Sequence, residues 1–93
     1  MATISSANFY GKDNPKYKIE VKGSGFKNNP DATMDAELRS GLALTSNGVF
    51  STVGTEVSYS IVPLGKEFNE NSISPQVRVR DENGSWTEWA DIK

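Results

Sequence analysis

Apolar and polar side chains alternate with a period of two in the clearest segments of this chain. In Tyr17-Lys18-Ile19-Glu20-Val21-Lys22 every second residue is apolar and the residues between them are charged. Successive side chains of a strand point to opposite faces, so this alternation predicts a half-buried strand. The same period recurs at Val57, Tyr59 and Ile61. The sequence therefore predicts a protein built mainly from strands.

The segment around Met34, Ala36 and Leu38 allows two structures. These residues alternate with charged ones, as in a strand, while Asp35 and Arg39 have the i,i+4 spacing of a helical ion pair. Because the segments on either side have a period of two, we favour a strand over a helix here.

Glycine, asparagine and proline mark the breaks between these segments. Gly23-Ser24-Gly25 and the polar stretch 26–30 predict a loop. Asn47-Gly48 lies between apolar residues, and this dipeptide is a strong hairpin signal, so we predict a hairpin turn there. Residues 63–75 are mostly polar and predict a long connection, which is a candidate functional loop or a crossover between sheets.

The last part of the chain predicts a closing hairpin. Residues 76–80 and 85–92 have the composition of strands and flank the turn-forming residues Asp81-Glu82-Asn83-Gly84. Thr3 to Phe9 add a weaker first strand, which gives seven or eight short strands at the spacing of a β-sandwich. We therefore predict an all-β fold, an immunoglobulin-like antiparallel β-sandwich of seven or eight strands, and a single domain over residues 1–93.

The register of the closing hairpin has two solutions. If Glu82-Asn83-Gly84 is the turn, Arg80 faces Trp86, and Trp89 joins Val77 in the core. A bulge between the two tryptophans turns both of them outward instead.

The closing hairpin resembles the last two strands of fibronectin type III domains. Val77-Arg78-Val79-Arg80 matches the penultimate strand, and Trp86-Thr87-Glu88-Trp89 matches the Trp-Ser-x-Trp-Ser box of cytokine-receptor modules, with Thr87 and Ala90 in place of serine. The resemblance implies that arginines of one strand interleave with tryptophans of the other in a cation–π stack, which is usually structural in that family. The matching residues are Arg78, Arg80, Trp86 and Trp89.

Lys18 to Phe26 resembles a second family, the transcription-factor-type immunoglobulin domains of many extracellular bacterial proteins, through a strand that runs into Gly23-Ser24-Gly25-Phe26. Both families are β-sandwiches, so the two resemblances predict the same fold class and differ only in the subtype. Small cysteine-free sandwiches are common accessory domains of bacterial surface proteins, secreted polysaccharide-active enzymes and tailed-phage virion proteins.

Several function classes are disfavoured by composition. The chain contains no cysteine and no histidine, which removes disulfides, thiolate metal clusters and the usual general base. Ser24 lacks the flanking pattern of a nucleophile elbow, and no carboxylate pair lies in a recognisable catalytic frame. We therefore expect no enzymatic activity, no cofactor and no metal.

Charge and hydropathy disfavour two kinds of partner. The formal net charge is −2, and lysine and arginine are scattered among acidic residues, so we expect no nucleic-acid binding. No apolar run approaches the ~20 residues of a membrane-spanning helix, so we expect no membrane insertion.

Two turns carry oxygen-rich side chains, Asp81-Glu82-Asn83 and Asp13-Asn14, but neither matches a calcium-loop motif, and solvated turns are the better interpretation. Asn83-Gly84-Ser85 fits the N-glycosylation pattern, although the predicted hairpin turn requires the same residues.

These observations lead to an expected function. We expect a non-catalytic interaction, adhesion or spacer module of a bacterial surface protein or phage virion protein, located extracellularly, at the cell surface or at the virion surface. The partner would be a protein or a cell-surface glycan. The alternative is a carbohydrate-binding module of a secreted polysaccharide-active enzyme, because an exposed tryptophan can stack on a sugar ring. In either case the candidate binding residues are Trp86, Trp89, Arg78 and Arg80.

Overall fold

A computed structural model describes residues 3–25, 33–41, 43–51, 59–63, 65–80 and 85–93. This part of the chain forms strands and no helix, and so contains no helix that could cross a membrane. Its strands are β1 (Thr3–Tyr10), β2 (Lys18–Ser24), β3 (Thr33–Ser40), β4 (Ala43–Ser51), β5 (Tyr59–Pro63), β6 (Pro75–Val79) and β7 (Ala90–Asp91). The polar stretch 26–30, Leu42, Val57 and the predicted turn at 81–84 lie outside the described residues.

The strands pair antiparallel in the order β1-β2-β5-β4-β3-β6-β7. β4 pairs with both β3 and β5, and thereby joins a first layer (β1, β2 and β5) to a second layer (β3, β6 and β7). Beyond β7, the Lys93 amide donates to the carbonyl of Ala7 at 2.9 Å, and the Phe9 amide donates to the carbonyl of Lys93 at 2.8 Å. The two ends of the strand order therefore meet.

One hydrophobic core lies between the two layers. Its members come from both layers, from the residue after β7 and from the segment between β5 and β6. Its buried hydrophobic members among the described residues are Ala7, Ile19, Val21, Ala36, Leu38, Ile61, Phe68, Val77, Val79 and Ile92. The fold is therefore a small strand-based structure in which two sheets face each other across a shared core.

The two alternating segments are strands, as the sequence predicts. Ile19 and Val21 are fully buried on β2, with the partly exposed Glu20 between them. On β3, Ala36 and Leu38 are buried, and they lie two positions apart, which is the spacing of one strand face. The helical alternative for this segment is wrong.

The hairpin predicted at Asn47-Gly48 is wrong, because β4 runs through both residues without a break. Asn47 pairs with Glu37 and Gly48 pairs with Ala36. The turn between β3 and β4 comes earlier, at Gly41, whose φ of 65° lies in the left-handed region that glycine adopts without a steric penalty. A tight connection of this kind needs a positive φ, and Gly41 supplies it before the chain reaches Asn47.

Residues 65–74 of the long connection between β5 and β6 form turns and no strand. Phe68 points inward from this connection, is 1% exposed, and packs against Phe9 with a ring-centroid distance of 6.2 Å. Glu70 holds the connection to the β1–β2 loop, since its amide donates to the Lys16 carbonyl at 2.8 Å and its carboxylate accepts from the Lys16 amide at 3.1 Å. The connection thus contributes to the core.

Candidate interaction surface

β6 and the chain after residue 85 pair through an irregular register. Arg80 pairs with Trp86, and the Thr87 amide donates to the Val79 carbonyl at 2.9 Å. Farther along, Val77 pairs with Ala90. The segment after residue 85 thus advances three residues, from Thr87 to Ala90, while the opposite strand β6 advances two, from Val79 to Val77. This extra residue is a β-bulge at positions 88–89.

The bulge decides which side chains enter the core. Thr87 is 7% exposed, and its hydroxyl oxygen accepts a hydrogen bond from the Val79 amide at 3.1 Å. Trp86 and Trp89 are both half-buried and lie outside the core cluster. The regular register, in which Trp89 joins Val77 inside, is therefore wrong, and the bulged alternative is correct.

The two tryptophans and three arginines form a stack on the solvent side of the second layer, which we call the ladder. Arg78 Cζ lies 4.7 Å from the ring centroid of Trp86 and 4.9 Å from that of Trp89. Arg80 Cζ lies 5.9 Å from Trp86, and Arg39 Cζ lies 4.2 Å from Trp89. Guanidinium groups and indole rings therefore alternate in the order Arg80, Trp86, Arg78, Trp89 and Arg39.

Arg78 stands at the centre of the ladder and is held from two sides. Its Nη2 donates to Glu37 Oε2 on β3 at 3.0 Å, with 29% and 20% of the two side chains exposed. Its Nε is buried with no hydrogen-bond partner among the described residues. The faces of the Trp86 and Trp89 rings carry partial negative charge and lie against this guanidinium. Their attraction offsets part of the free-energy cost of removing the Arg78 Nε–H group from water.

Arg39 enters the ladder from β3, and the sequence did not suggest it as a site residue. Its Nε donates to Gln76 Oε1 at 2.6 Å, and Gln76 Nε2 donates to Asp91 Oδ1 at 2.8 Å. Arg39 pairs with Gln76, and Gln76 pairs with Asp91, so these three residues cross the second layer in one row. The structure therefore brings together Arg78, Arg80, Trp86 and Trp89, as the resemblance implies, and adds Arg39.

The bulged register predicts similar and modest costs for the two tryptophan truncations. We expect Trp86→Ala and Trp89→Ala each to lower the free energy of unfolding by about 1–2 kcal/mol, because each loses partial burial and two cation–π contacts. Urea denaturation of the two variants measures this. A cost of about 3–5 kcal/mol for Trp89→Ala alone would be that of a core residue and would contradict the bulge.

The buried hydroxyl of Thr87 gives a second prediction. Thr87→Val should lower the free energy of unfolding by about 1–3 kcal/mol, because it leaves the buried Val79 amide without its acceptor while keeping the side-chain volume. Thr87→Ser is the matched control, since it keeps the acceptor. If the valine variant proves as stable as wild type in urea melts, the hydrogen bond does not hold the bulge.

The other candidate residues have local partners or lie outside the described part. Asp13 forms an ion pair with Lys18 at 3.9 Å, and the hydroxyl of Ser24 hydrogen-bonds that of Thr3 at 3.0 Å. The turn residues 81–84 lie outside the described residues, so the calcium and glycosylation candidates there stay untested. Among the described residues, no three acidic side chains come together as a possible metal site.

Comparisons with protein-family models, with curated proteins and with solved structures find no match to this chain.

Proposed function

We propose that the chain is an immunoglobulin-like or fibronectin type III-like sandwich. The strand order supports this assignment. If β1 to β7 are lettered A to G in chain order, the observed order is A-B-E-D-C-F-G, which would divide into the ABED and CFG sheets of a constant-type immunoglobulin domain. β4 pairs with both β3 and β5, which is compatible with either subtype of the fold.

The proposed function is that of a non-catalytic interaction, adhesion or spacer module, carried by a bacterial surface protein or a phage virion protein. The observation that carries this proposal is the ladder on the solvent side of the second layer. Tryptophan and arginine are among the residues enriched at protein interfaces and at their energetic hot spots. Here each indole is held between guanidinium groups, so little side-chain entropy remains to be lost when a partner binds.

Carbohydrate binding is the second candidate, supported by two half-exposed tryptophans on one surface. A sugar ring stacks on the face of an indole, and the faces of both rings here carry guanidinium groups. A glycan would have to displace an arginine or bind only the ring edges. The ladder therefore favours a protein partner over a glycan.

A retention screen tests the interaction function. The immobilised domain is exposed to whole bacterial cells, cell-envelope fragments and virion components, beside a protein of equal size and net charge as the control. We expect at least one fraction to be retained by the domain and not by the control. If no fraction is retained, the adhesive form of the proposal fails and only the spacer form is left.

Tryptophan fluorescence separates the two candidates. If the glycan candidate is correct, a polysaccharide panel will change the emission of Trp86 or Trp89, because the stacking environment of the rings changes. We expect no change across the panel. A saturable change with one polysaccharide would reverse the preference for a protein partner.

A further inference from the structure

Arg39 differs from Arg78 in how its charge is compensated. Arg78 is paired with Glu37 at 3.0 Å. Arg39 donates through Nε to the neutral amide oxygen of Gln76 and stacks on Trp89, and it has no carboxylate partner among the described residues. The ladder therefore includes a cation that the described part of the chain leaves without a counter-charge.

The Nη1 and Nη2 atoms of Arg39 reach solvent. Neither atom has a hydrogen-bond partner in the described part of the chain. The buried side-chain nitrogen without a partner in this part is Arg78 Nε, and no nitrogen of Arg39 is buried in that way. The Nη atoms are thus unpartnered without being buried. An arginine in this state presents its outer donors in the fork that matches a carboxylate.

Contacts with Gln76 and Trp89 fix the orientation of the Arg39 guanidinium. Asp91 accepts from the Nε2 of Gln76, so the amide oxygen of Gln76 faces Arg39 and accepts from its Nε. The guanidinium also lies over the ring of Trp89, with Arg39 Cζ 4.2 Å from the ring centroid. A cation held on one edge and one face loses little freedom when its other edge binds an anion, which favours affinity.

We propose that Arg39 binds a carboxylate of an acidic protein segment through its Nη1 and Nη2 donors. The inference rests on the proposed function, because it names the partner chemistry of the same surface. A protein carboxylate fits better than a uronate sugar, since the indole beside Arg39 carries guanidinium groups where a sugar ring would stack.

The test uses the folded domain and a defined probe. The ¹⁵N-labelled domain is titrated at low salt with a hexaglutamate peptide, while the resonances of Arg39 Nε–H and Trp89 Nε1–H are followed. A hexaglutamine peptide controls for charge, and hexagalacturonate supplies the glycan form of the same carboxylate. We expect saturable shifts of both resonances with hexaglutamate, and weaker or no shifts with the other two probes.

Substitutions then assign the effect to Arg39. Arg39→Gln should weaken hexaglutamate binding about tenfold or more, because a bidentate charge-assisted pair is lost. Arg39→Lys should weaken it less, since the charge stays and the fork is lost. Lys22→Gln, which removes one exposed positive charge from β2 in the first layer, should change affinity less than about twofold. Thermal melts confirm that each variant is folded.

Three outcomes would overturn the inference: equal effects of Arg39→Gln and Lys22→Gln, equal binding of hexaglutamine, or preferred binding of hexagalacturonate. The outcomes also separate this inference from the proposed function. If a cell or virion fraction is retained and Arg39→Gln leaves its retention unchanged, the inference fails and the proposed function stands. If hexaglutamate binds through Arg39 and no fraction is retained, the inference about Arg39 stands and the proposed interaction function fails.

Discussion

Ile19→Asp and Val79→Asp should each abolish folding. Both residues are fully buried, and they face the same core from the first and second layers. A carboxylate there has no partner and costs several kcal/mol, which is most of the about 5–10 kcal/mol that stabilises a domain of this size. Circular dichroism and thermal melts of the purified variants measure the loss.

The matched control for Ile19→Asp is Lys22→Asp on the same strand. Lys22 is exposed and forms an ion pair with Glu20 at 3.8 Å, so its substitution should lower the free energy of unfolding by only about 1 kcal/mol or less. A soluble Ile19→Asp or Val79→Asp variant with a cooperative melt would mean that these strands face the other way. In that case the ladder could not lie on the solvent side of the second layer.

Phe68→Ala should be the most costly truncation in the connection between β5 and β6. Phe68 is 1% exposed and packs on Phe9, so its loss should leave a cavity and lower the free energy of unfolding by about 3–5 kcal/mol. Ile73→Ala is the control in the same connection, because Ile73 is 78% exposed and should cost about 0.5 kcal/mol or less. Guanidinium denaturation measures both variants, and equal costs would show that the connection does not complete the core.

Local alternation was enough to predict β2 and β3, because each strand buries one face and exposes the other. The buried pairs Ile19 with Val21 and Ala36 with Leu38 follow from the period alone. Phe68 could not be predicted in this way. It lies in a segment without periodicity, and its burial depends on how the connection folds back over the end of the core.

The turn between β3 and β4 shows where local signals compete. Gly41 and Asn47-Gly48 are both good turn positions, and either could end β3 in isolation. The pairing of β4 with β5 requires residues 48–51 to lie in a strand. This long-range requirement favours the turn at Gly41, and no local pattern contains it.

The ladder was predictable only in part. Arg78 and Arg80 lie on the strand next to Trp86 and Trp89, so a hairpin resemblance suffices to bring them together. The position of Trp89 depended on a bulge, and the sequence left the regular and bulged registers open. Arg39 depends on the pairing of β3 with β6, which joins residues 37 positions apart in the chain, and period-two alternation does not report which strands pair.

Retention of ladder variants by the cell or virion fraction that retains the wild-type domain tests whether the domain binds its partner through the ladder. The variants are Arg39→Gln combined with Trp89→Ala, and Lys22→Gln from the first layer as the control. We predict that the ladder variant, verified as folded by its thermal melt, loses retention while Lys22→Gln keeps it. Equal retention of both variants would contradict the claim and would place the contact elsewhere on the domain.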